Sequence, residues 1–363
     1  MISAIVVNYH LAESAVRAVK SLVSSGRDEP VEIFLVDNSE SYEQAEKLRT
    51  AVGKDCTLIV SERNLGFGAA CNLAYQQASG DWILLLNPDA WLAQGAAQTL
   101  YEFLKANPEA GAVSPRVYWD ETQRFLLPAN SIPNPRQDVL NAPKGRLGGL
   151  LTWWHSLSAR SQAVEYWTSK WPLQQEMLSG GHIMLRRRAI ESAGGLFDER
   201  FYMYYEDTDL FVRLKQASYH SYMVPDALVT HSFAQTPQPE SWKQEQMQKS
   251  HLQFLQKHYA KPNNLTRMMK WLQGGARWLP QIEELGVLDA PPELEVPKSI
   301  QRHWLLECSL SPYFMPSAGL FGKGDQVIIP DETWQVMSPG KYFLRLGSPE
   351  YFYLPPKVIS FNK

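Results

Sequence analysis

Cysteine is scarce in this sequence, which contains only three in 363 residues. Cys56, Cys71 and Cys308 lack the paired spacing of zinc fingers and redox motifs, so we interpret them as small buried hydrophobic residues in a reducing compartment. An excess of one charge is also lacking, because the net charge is only −3. Without a basic excess the chain has no general attraction for nucleic acid, and we expect no nucleic-acid partner.

Long hydrophobic runs are absent as well. No stretch reaches the roughly 18 apolar residues that a membrane-spanning helix needs. The first residues, MISAIVVNYH, have neither the positive start nor the long apolar segment of a secretory signal. We therefore expect a cytoplasmic protein, at most peripheral on the cytoplasmic face of the inner membrane.

Strand-like and helix-like segments alternate through the first third of the chain. Near-continuous apolar strands that alternate with helices predict an α/β fold, with a mostly parallel, Rossmann-like sheet flanked by helices. In such sheets ligands bind at the carboxyl ends of the strands, where several polar residues fall. The apolar runs are AIVVNY (4–9), EIFLVDN (32–38), CTLIVSE (56–62), WILLLNPD (82–89) and AGAVSPRVYW (110–119). The polar residues at their ends are Asn8, Asp37, Glu62 and Asp89.

The later part of the chain has a different composition. Residues 120–176 are rich in Pro, Arg and Trp, which favours a long loop or short helices. The segment LDAPPELEVP has the character of a linker, and the tail has short strand-like runs broken by Gly and Pro. We predict a large α/β domain over 1–265, a helical and proline-rich linker over 266–297, and a small β-rich module over 298–363.

The segment ERNLGFGAACN contains a glycine pair just before a predicted helix. Gly66 and Gly68 would let the backbone approach a ligand closely where free helical N–H groups favour phosphate, and Arg63 and Asn64 add polar side chains. The segment resembles half of a dinucleotide-binding fingerprint. However, Cys71 stands where the third glycine should be, and the loop follows the third strand rather than the first. A phosphate loop and a simple glycine turn both remain open.

Two aspartates end predicted strands. Asp37 is either a turn or capping residue, or an acceptor for a base or ribose hydroxyl. In Asn87-Pro88-Asp89 the proline stops the strand, and Asp89 is either a turn residue or an oxygen ligand for Mg²⁺ or Mn²⁺ that also contacts a diphosphate. Asn87 carries no charge, so the phosphates of a substrate would have to complete the shell of that metal.

A third group of acids lies in MYYEDTDLFVRL. Glu206, Asp207 and Asp209 fall around a predicted helix start, where acids are favoured by the helix dipole. Alternatively, one of them is a general base whose pKa is raised by its neighbours. His231, in VTHSF, is either structural or the histidine that completes a Mn²⁺ site with oxygen ligands.

Taken in order, these segments resemble the family 2 glycosyltransferases, and most of all the bacterial branch that includes rhamnosyltransferases of polysaccharide assembly. The resemblance covers residues 2–260 and does not reach the tail. It implies the GT-A fold, a nucleotide-sugar donor, Mg²⁺ or Mn²⁺, and inversion at the anomeric carbon, with a donor half over about 1–120 and an acceptor half over about 121–265. The segments are VVNYH, VDNSE, RNLGFGAACN, LLLNPDA, SGGHIMLRR, FDERFYMYYEDTDLFVRL and VTHSF.

The resemblance also implies roles for single residues. Asp207 matches the general base, and Asp89 and His231 match the metal ligands. Asn87 stands where the commoner form of the metal motif has an acid. The implied donor-binding residues are Asn8, Asp37, Arg63, Asn64, Gly66, Asn87 and Asp89. The implied acceptor-pocket residues are Gly180, Gly181, His182 and Glu206.

The expected function is that of an inverting hexosyltransferase. It would move rhamnose or another hexose from a UDP- or dTDP-sugar to a hydroxyl of a glycan or polyprenyl-linked glycan in cell-surface polysaccharide synthesis. Two alternatives stay open. One is a dinucleotide-dependent oxidoreductase, which the missing third glycine disfavours. The other is a non-catalytic carbohydrate-binding or scaffold protein on a degenerate transferase fold, which a dispensable Asp207 would favour.

Overall fold

The computed structural model describes residues 1–24, 29–133, 146–232, 237–259, 282–350 and 358–363, with the backbone alone over 146–154. The strands are β1 (Ile2–Asn8), β2 (Val31–Asp37), β3 (Thr57–Val60), β4 (Trp82–Leu86), β5 (Ala90–Leu92), β6 (Ala110–Tyr118), β7 (Phe125–Leu126), β8 (Leu173–Gln175), β9 (His182–Arg186), β10 (His220–His231), β11 (Ile282–Val287), β12 (Glu293–Glu295), β13 (Trp304–Ser309), β14 (Ala318–Gly322), β15 (Gln326–Ile328), β16 (Lys341–Gly347) and β17 (Val358–Asn362). The helices are α1 (Ala12–Val23), α2 (Tyr42–Val52), α3 (Phe67–Tyr75), α4 (Ala96–Ala106), α5 (Arg146–Thr168), α6 (Arg187–Ser192), α7 (Glu206–Gln216), α8 (Glu240–His258) and α9 (Asp331–Val336). None of the helices in the described ranges is both long and apolar enough to cross a membrane.

The chain divides into two compact units, of which the first carries the α/β sheet. This unit comprises Met1–Arg116, Asn130–Ile132 and Lys170–Ala260. Its strands follow the order β6-β9-β4-β1-β2-β3, and β1 runs parallel to both β2 and β4. The predicted mixed α/β architecture is confirmed, and the carboxyl ends of β1, β2, β3 and β4 lie along one edge of the sheet.

Alternate residues of these strands build the core on one face of the sheet. In β1, Ile5 and Val7 belong to a buried cluster, and Ile83 and Leu85 of β4 join it. Because strand side chains alternate between faces, this spacing of two directs all four residues to the same side. Residues of α3, α6 and α7 complete the cluster, so these helices cover that face.

Strand β9 is the irregular member of the sheet, because it runs antiparallel to both of its neighbours, β4 and β6. Its first residue, His182, pairs with Leu86, the last residue of β4. The start of β9 therefore lies at the same edge as the ends of the parallel strands. Arg187, the residue after β9, donates to the carbonyl oxygens of Gly80 at 2.6 Å and Ala78 at 2.8 Å. These hydrogen bonds satisfy two backbone carbonyl groups of the segment that follows α3.

The second unit comprises Val117–Ala129, Pro133–Ser169 and Lys261–Lys363. Its strands follow the order β11-β17-β16-β13-β14-β7, and β12 pairs with β15 separately. The predicted β-rich character of the C-terminal module is confirmed. Trp167 of α5 is buried in this unit and donates from Nε1 to the carbonyl oxygen of Leu127 at 2.9 Å.

A buried ion-pair network joins α5 to two strands of the second unit. Glu307 of β13 is fully buried and accepts hydrogen bonds from Arg160 Nε at 2.8 Å and from Arg345 Nε at 2.9 Å and Nη2 at 2.7 Å. Ser317 Oγ adds a contact of 3.3 Å to the same carboxylate. Two guanidinium groups therefore depend on one carboxylate that is shielded from water.

The described segments differ in places from the predicted organisation. The predicted boundary at residue 265 and the linker over 266–281 lie outside the described residues. Residues 282–297, assigned to the linker, contain strands β11 and β12. Within 120–176, where a long loop or short helices were expected, the structure has the 23-residue helix α5. Its apolar residues form no stripe with helical spacing, so the sequence carries no periodic sign of it.

Candidate active site

The paired ends of β1 and β2 hold a polar pair. Asn8 and Asp37 are register partners, and Asn8 Nδ2 donates to Asp37 Oδ1 at 2.9 Å and to Ser39 Oγ at 3.0 Å. Asn8 Oδ1 accepts from the backbone N–H of Leu11 at 2.9 Å. Both Asn8 and Asp37 are buried. The Asp37 carboxylate is thus fixed at the carboxyl edge of the sheet.

A second set of amides links this strand end to the glycine loop. Asn38 Nδ2 donates to Asn64 Oδ1 at 2.9 Å, and Asn38 Oδ1 accepts from Leu65 N at 2.9 Å. Asn64 Oδ1 also accepts from Gly66 N at 2.9 Å. Asn64 and Gly66 therefore adjoin Asp37, whereas the side chain of Arg63 is exposed. Sequence reasoning missed Asn38, although its place directly after Asp37 at a strand end was the available signal.

The two glycines approach another part of the protein closely. Gly66 has φ +80°, and a Cβ there would lie 2.1 Å from the carbonyl oxygen of Tyr202. A Cβ on Gly68 would lie 3.2 Å from Phe197 Cβ and 3.5 Å from Glu206 Cβ. The space that the missing side chains leave is filled by the chain before α7, and the approach of this backbone to a ligand stays a prediction. The predicted contact of Gly66 with the donor stays a prediction.

Replacing Gly66 with Ala is expected to lower the free energy of unfolding by about 2–4 kcal/mol, because left-handed strain adds to a backbone overlap. Gly95→Ala is the matched control, since Gly95 has φ +79° and a Cβ there would have no other atom within 4 Å. That variant isolates the strain, about 1 kcal/mol. Urea denaturation of both variants checks the difference, and equal losses would contradict the packing of Gly66 on Tyr202.

Strands β5 and β10 bring Asp89 and His231 together. The register pairs His231 with Ala90, and Ser232 N donates to the carbonyl oxygen of Asp89 at 3.0 Å. As a result, His231 Nε2 lies 3.2 Å from Asp89 Oδ1, and both side chains are buried. Asn87 Nδ2 lies 3.5 Å from the same imidazole nitrogen. The two metal ligands that the resemblance implies are thus neighbours, although they stand 142 positions apart in the sequence.

A second imidazole lies beside this pair. The rings of His182 and His231 meet edge to face with centroids 5.5 Å apart, and His182 Nδ1 lies 3.2 Å from Ser114 Oγ. Burial, with a contribution from the nearby His231, lowers the pKa of His182 to about 3. His182 is therefore neutral at physiological pH and adds no positive charge to the site.

The donor set around Asp89 fits a divalent cation only in part. A carboxylate oxygen and an imidazole nitrogen are ligands that Mn²⁺ accepts. However, among the described residues no group of three or more His, Cys, Asp and Glu side chains could hold a metal ion. Asp89 and His231 therefore offer two ligands, and oxygen atoms of a bound diphosphate would have to supply others.

Gly180 and Gly181 lie between Asn87 and the acidic residues of α7. Asn87 N donates to the carbonyl oxygen of Gly181 at 2.7 Å, and Gly180 N donates to Asp207 Oδ2 at 3.1 Å. A Cβ on Gly181 would lie 2.5 Å from Asn87 Nδ2, and one on Gly180 would lie 3.0 Å from Asp207 Cβ. Two successive glycines thus allow Asn87 and Asp207 to contact the same short backbone segment.

Asp207 lies in the first turn of α7. The preceding residues, Tyr204 and Tyr205, have φ 65° and 68°, a conformation that non-glycine residues rarely adopt. The half-buried Asp207 carboxylate also accepts from Thr208 N at 2.7 Å and Thr208 Oγ1 at 3.3 Å. Burial raises its pKa, although these hydrogen bonds act in the opposite direction. A carboxylate of raised basicity that is not fully enclosed suits a general base.

Asp209 differs from the other acids of this turn. It is fully buried, and Arg213 Nε, Lys257 Nζ and His258 Nε2 lie 2.7, 2.5 and 2.7 Å from its oxygens. Burial alone would raise its pKa, but the hydrogen bonds from these three partners lower it. Asp209 therefore joins α7 to α8, while Glu206 and Asp207 have no cationic partner among the described residues.

The sequence is similar to a protein-family model and to a mycobacterial rhamnosyltransferase. The family model described as "Glycosyl transferase family 2" matches residues 3–149. N-acetylglucosaminyl-diphospho-decaprenol L-rhamnosyltransferase from Mycobacterium tuberculosis (strain ATCC 25618 / H37Rv) is 29% identical over 220 residues, which are 58% of this chain and 69% of that protein.

Two solved structures are similar in fold. GalNAc-T7, solved with UDP, GalNAc and Mn²⁺, has a TM-score of 0.50 and 15% identity, covering 76% of this chain and 55% of its own. Mannosyltransferase PcManGT from Pyrobaculum calidifontis, solved with GDP-Man and Mn²⁺, has a TM-score of 0.47 and 16% identity, covering 75% of this chain and 69% of its own.

Proposed function

We propose that this chain is an inverting, metal-dependent glycosyltransferase, because the model of glycosyl transferase family 2 matches residues 3–149. The donor would be a UDP- or dTDP-sugar, with rhamnose or another hexose as the transferred group. The acceptor would be a hydroxyl of a glycan or polyprenyl-linked glycan. The name of the mycobacterial relative, a rhamnosyltransferase that acts on a decaprenol-linked diphospho-sugar, supports this choice.

The observation that carries the mechanism is the Gly180–Gly181 segment, which contacts Asn87 on one side and Asp207 on the other. This contact supports the proposal, because Asn87 stands two residues before the proposed diphosphate ligand Asp89, and Asp207 is the proposed general base. Asp207 accepts the proton of the acceptor hydroxyl while that oxygen attacks the anomeric carbon. The bond to the nucleoside diphosphate breaks with its electron pair leaving on the diphosphate. A single displacement inverts the configuration.

The residues at the ends of β1 and β2 hold the donor in this proposal. Asp37 and Asn64 contact the nucleoside, and the hydrogen bonds from Asn8 and Asn38 keep these two side chains in place. Such fixed positions lower the entropy that is lost when donor and acceptor align. Gly180 N and Thr208 N orient the Asp207 carboxylate in the same way.

Asp89 and His231 would hold Mg²⁺ or Mn²⁺ together with the diphosphate of the donor. The metal would neutralise charge that develops on the leaving diphosphate. His182 is neutral, so it adds no positive charge that would repel the metal. If the acceptor is lipid-linked, the protein would work at the cytoplasmic face of the inner membrane. The donor would bind the half of the domain over about 1–120, and the acceptor the half over about 121–265.

The substitution Asp89→Asn tests the proposed role of Asp89 in binding the metal and the donor diphosphate. It is expected to weaken Mn²⁺-dependent binding of UDP or dTDP by more than about 100-fold, because an amide cannot replace a charged ligand. Binding is measured by calorimetry with and without Mn²⁺. Asp81→Asn is the control, because Asp81 is exposed at the opposite end of β4. If Mn²⁺ does not change nucleotide affinity in the wild type, the metal has no part in the mechanism.

The activity itself is tested with a panel of UDP- and dTDP-sugars and a polyprenyl-diphospho-GlcNAc acceptor. The preferred donor is expected to raise the melting temperature in the presence of Mn²⁺ by mass action. Nuclear magnetic resonance of the product then gives the anomeric configuration, which should be opposite to that of the donor. Retention of configuration would contradict the single displacement.

A further inference from the structure

Glu206 is an acid that the mechanism above does not use. It is the first residue of α7 and directly precedes Asp207, yet its side chain is only 7% exposed. Its Cβ lies 3.5 Å from where a Cβ of Gly68 would be, so it packs against the start of α3. In the described part of the chain, the buried oxygen Oε2 has no hydrogen-bond partner. A charged carboxylate with one oxygen unpartnered in such a place is costly.

The groups that face Glu206 offer no compensating positive charge. Asp207 lies beside it on the same helix, Cys71 faces it from α3, and Tyr204 faces it from the preceding turn. Burial raises the pKa of both the Cys71 thiol and the Tyr204 phenol, so both are neutral at pH 7. This contrasts with Asp209, which is paired with the cations Arg213 and Lys257 and also contacts His258.

Hydrogen-bond donors distinguish the two adjacent acids. Asp207 receives the N–H groups of Gly180 and Thr208 and the hydroxyl of Thr208. Donors to a carboxylate favour its ionised form, whereas burial without donors favours the protonated form. When two close carboxyl groups share one charge, the charge therefore lies on the one with the donors.

We propose that Glu206 and Asp207 carry one negative charge between them at neutral pH, with the charge on Asp207 and the proton on Glu206. Glu206 is then a positioning residue: its uncharged carboxyl leaves Asp207 as the only anion of this adjacent pair and sets the basicity of Asp207. This proposal rests on the proposed role of Asp207 as the base. It also gives Glu206, predicted in the acceptor pocket, a specific protonation state.

The pH profile of Glu206→Gln tests the role in catalysis. The amide mimics the neutral acid, so the acid limb of the pH profile of kcat is expected to stay at its wild-type pH, whatever the size of kcat. Burial and the neighbouring Asp207 raise the pKa of Glu206 to about 8. The wild type should therefore lose activity as Glu206 ionises near that pH, and the variant should not. An acid limb moved to lower pH would show that Asp207 had lost a charged neighbour, which would place the charge on Glu206 and overturn the proposal.

Stability against pH tests the protonation state without any transfer reaction. Between the ordinary pKa of 4.5 and the raised value, folded Glu206 holds a proton that the unfolded chain has lost. Wild-type stability therefore falls, relative to Glu206→Gln, as the pH rises through this window. The ratio of the two unfolding constants should change about tenfold per pH unit and level off above it. A ratio independent of pH would overturn the proposal.

Glu245→Gln is the control for both measurements, because Glu245 is exposed on α8. It is expected to follow the wild type in the pH profile and in denaturation. The two arms also separate this inference from the proposed function. A protein without activity on any donor would defeat the proposed function, while the denaturation arm would still decide where the proton lies.

Discussion

Asp207→Asn is expected to lower the rate of sugar transfer by about 10³-fold while donor affinity stays within a factor of about three, because general-base catalysis contributes about 10²–10⁴-fold. The amide keeps the size of the side chain and can still meet the Thr208 hydroxyl, but it cannot take the proton of the acceptor. Single-turnover kinetics with the preferred donor measure the rate, and calorimetry measures donor affinity.

Asp226→Asn is the matched control for this experiment, since Asp226 is an exposed residue of β10. It should transfer sugar at the wild-type rate. Unchanged turnover in Asp207→Asn would exclude Asp207 as the base and would leave the buried Glu206 as the nearest acid. A wild-type protein that binds donor yet transfers to no acceptor would favour the non-catalytic carbohydrate-binding interpretation instead.

Glu307→Gln is expected to destabilise the second unit by about 3–5 kcal/mol, which is the usual result when a buried ion pair loses one partner. Arg160 and Arg345 are 6% and 2% exposed, so neither guanidinium can reach water after the carboxylate is removed. Guanidinium chloride denaturation followed by tryptophan fluorescence measures the change, because Trp167 and Trp304 are buried in this unit.

Glu284→Gln is the corresponding surface control. Glu284 pairs with Lys341 at 2.8 Å, but both side chains are largely solvated. Exposed pairs of this kind contribute little, so no measurable change is expected. A loss of less than about 1 kcal/mol in Glu307→Gln would mean that the two arginines find other acceptors and that the network is not a source of stability.

Local sequence pattern was sufficient to predict the resemblance to a known family and the main features of the fold. The resemblance to family 2 glycosyltransferases is confirmed over residues 3–149 by the family match, and the GT-A fold is confirmed by the likeness to GalNAc-T7. Buried strands such as β1 and β4 are continuous apolar runs, so their place in a parallel sheet could be read without knowledge of distant contacts. Asn8, Asp37 and Asp89 could then be predicted as site residues, because ligands bind at the carboxyl ends of such strands.

The rest depends on contacts between residues far apart in the sequence. The direction of β9 and its place between β4 and β6 are set by pairing, and the run HIMLR does not encode either. In the sequence Asp209 cannot be distinguished from its neighbours, because its partners Lys257 and His258 come almost 50 residues later. The role of the glycine loop was also ambiguous in the sequence, because the backbone that packs against Gly66 belongs to Tyr202, which is distant in the chain.

The position of β9 also has a consequence for protein synthesis. On the ribosome, β6 is made before β9, so the hydrogen-bonding edge of β4 stays unpaired until residue 186 has been synthesised. An open apolar strand edge is a template for wrong pairing with other chains. His231 is synthesised 45 residues later, so the pair of Asp89 and His231 can form only after β9 has covered this edge. Association with chaperones during translation is therefore most useful to this protein before β9 is inserted.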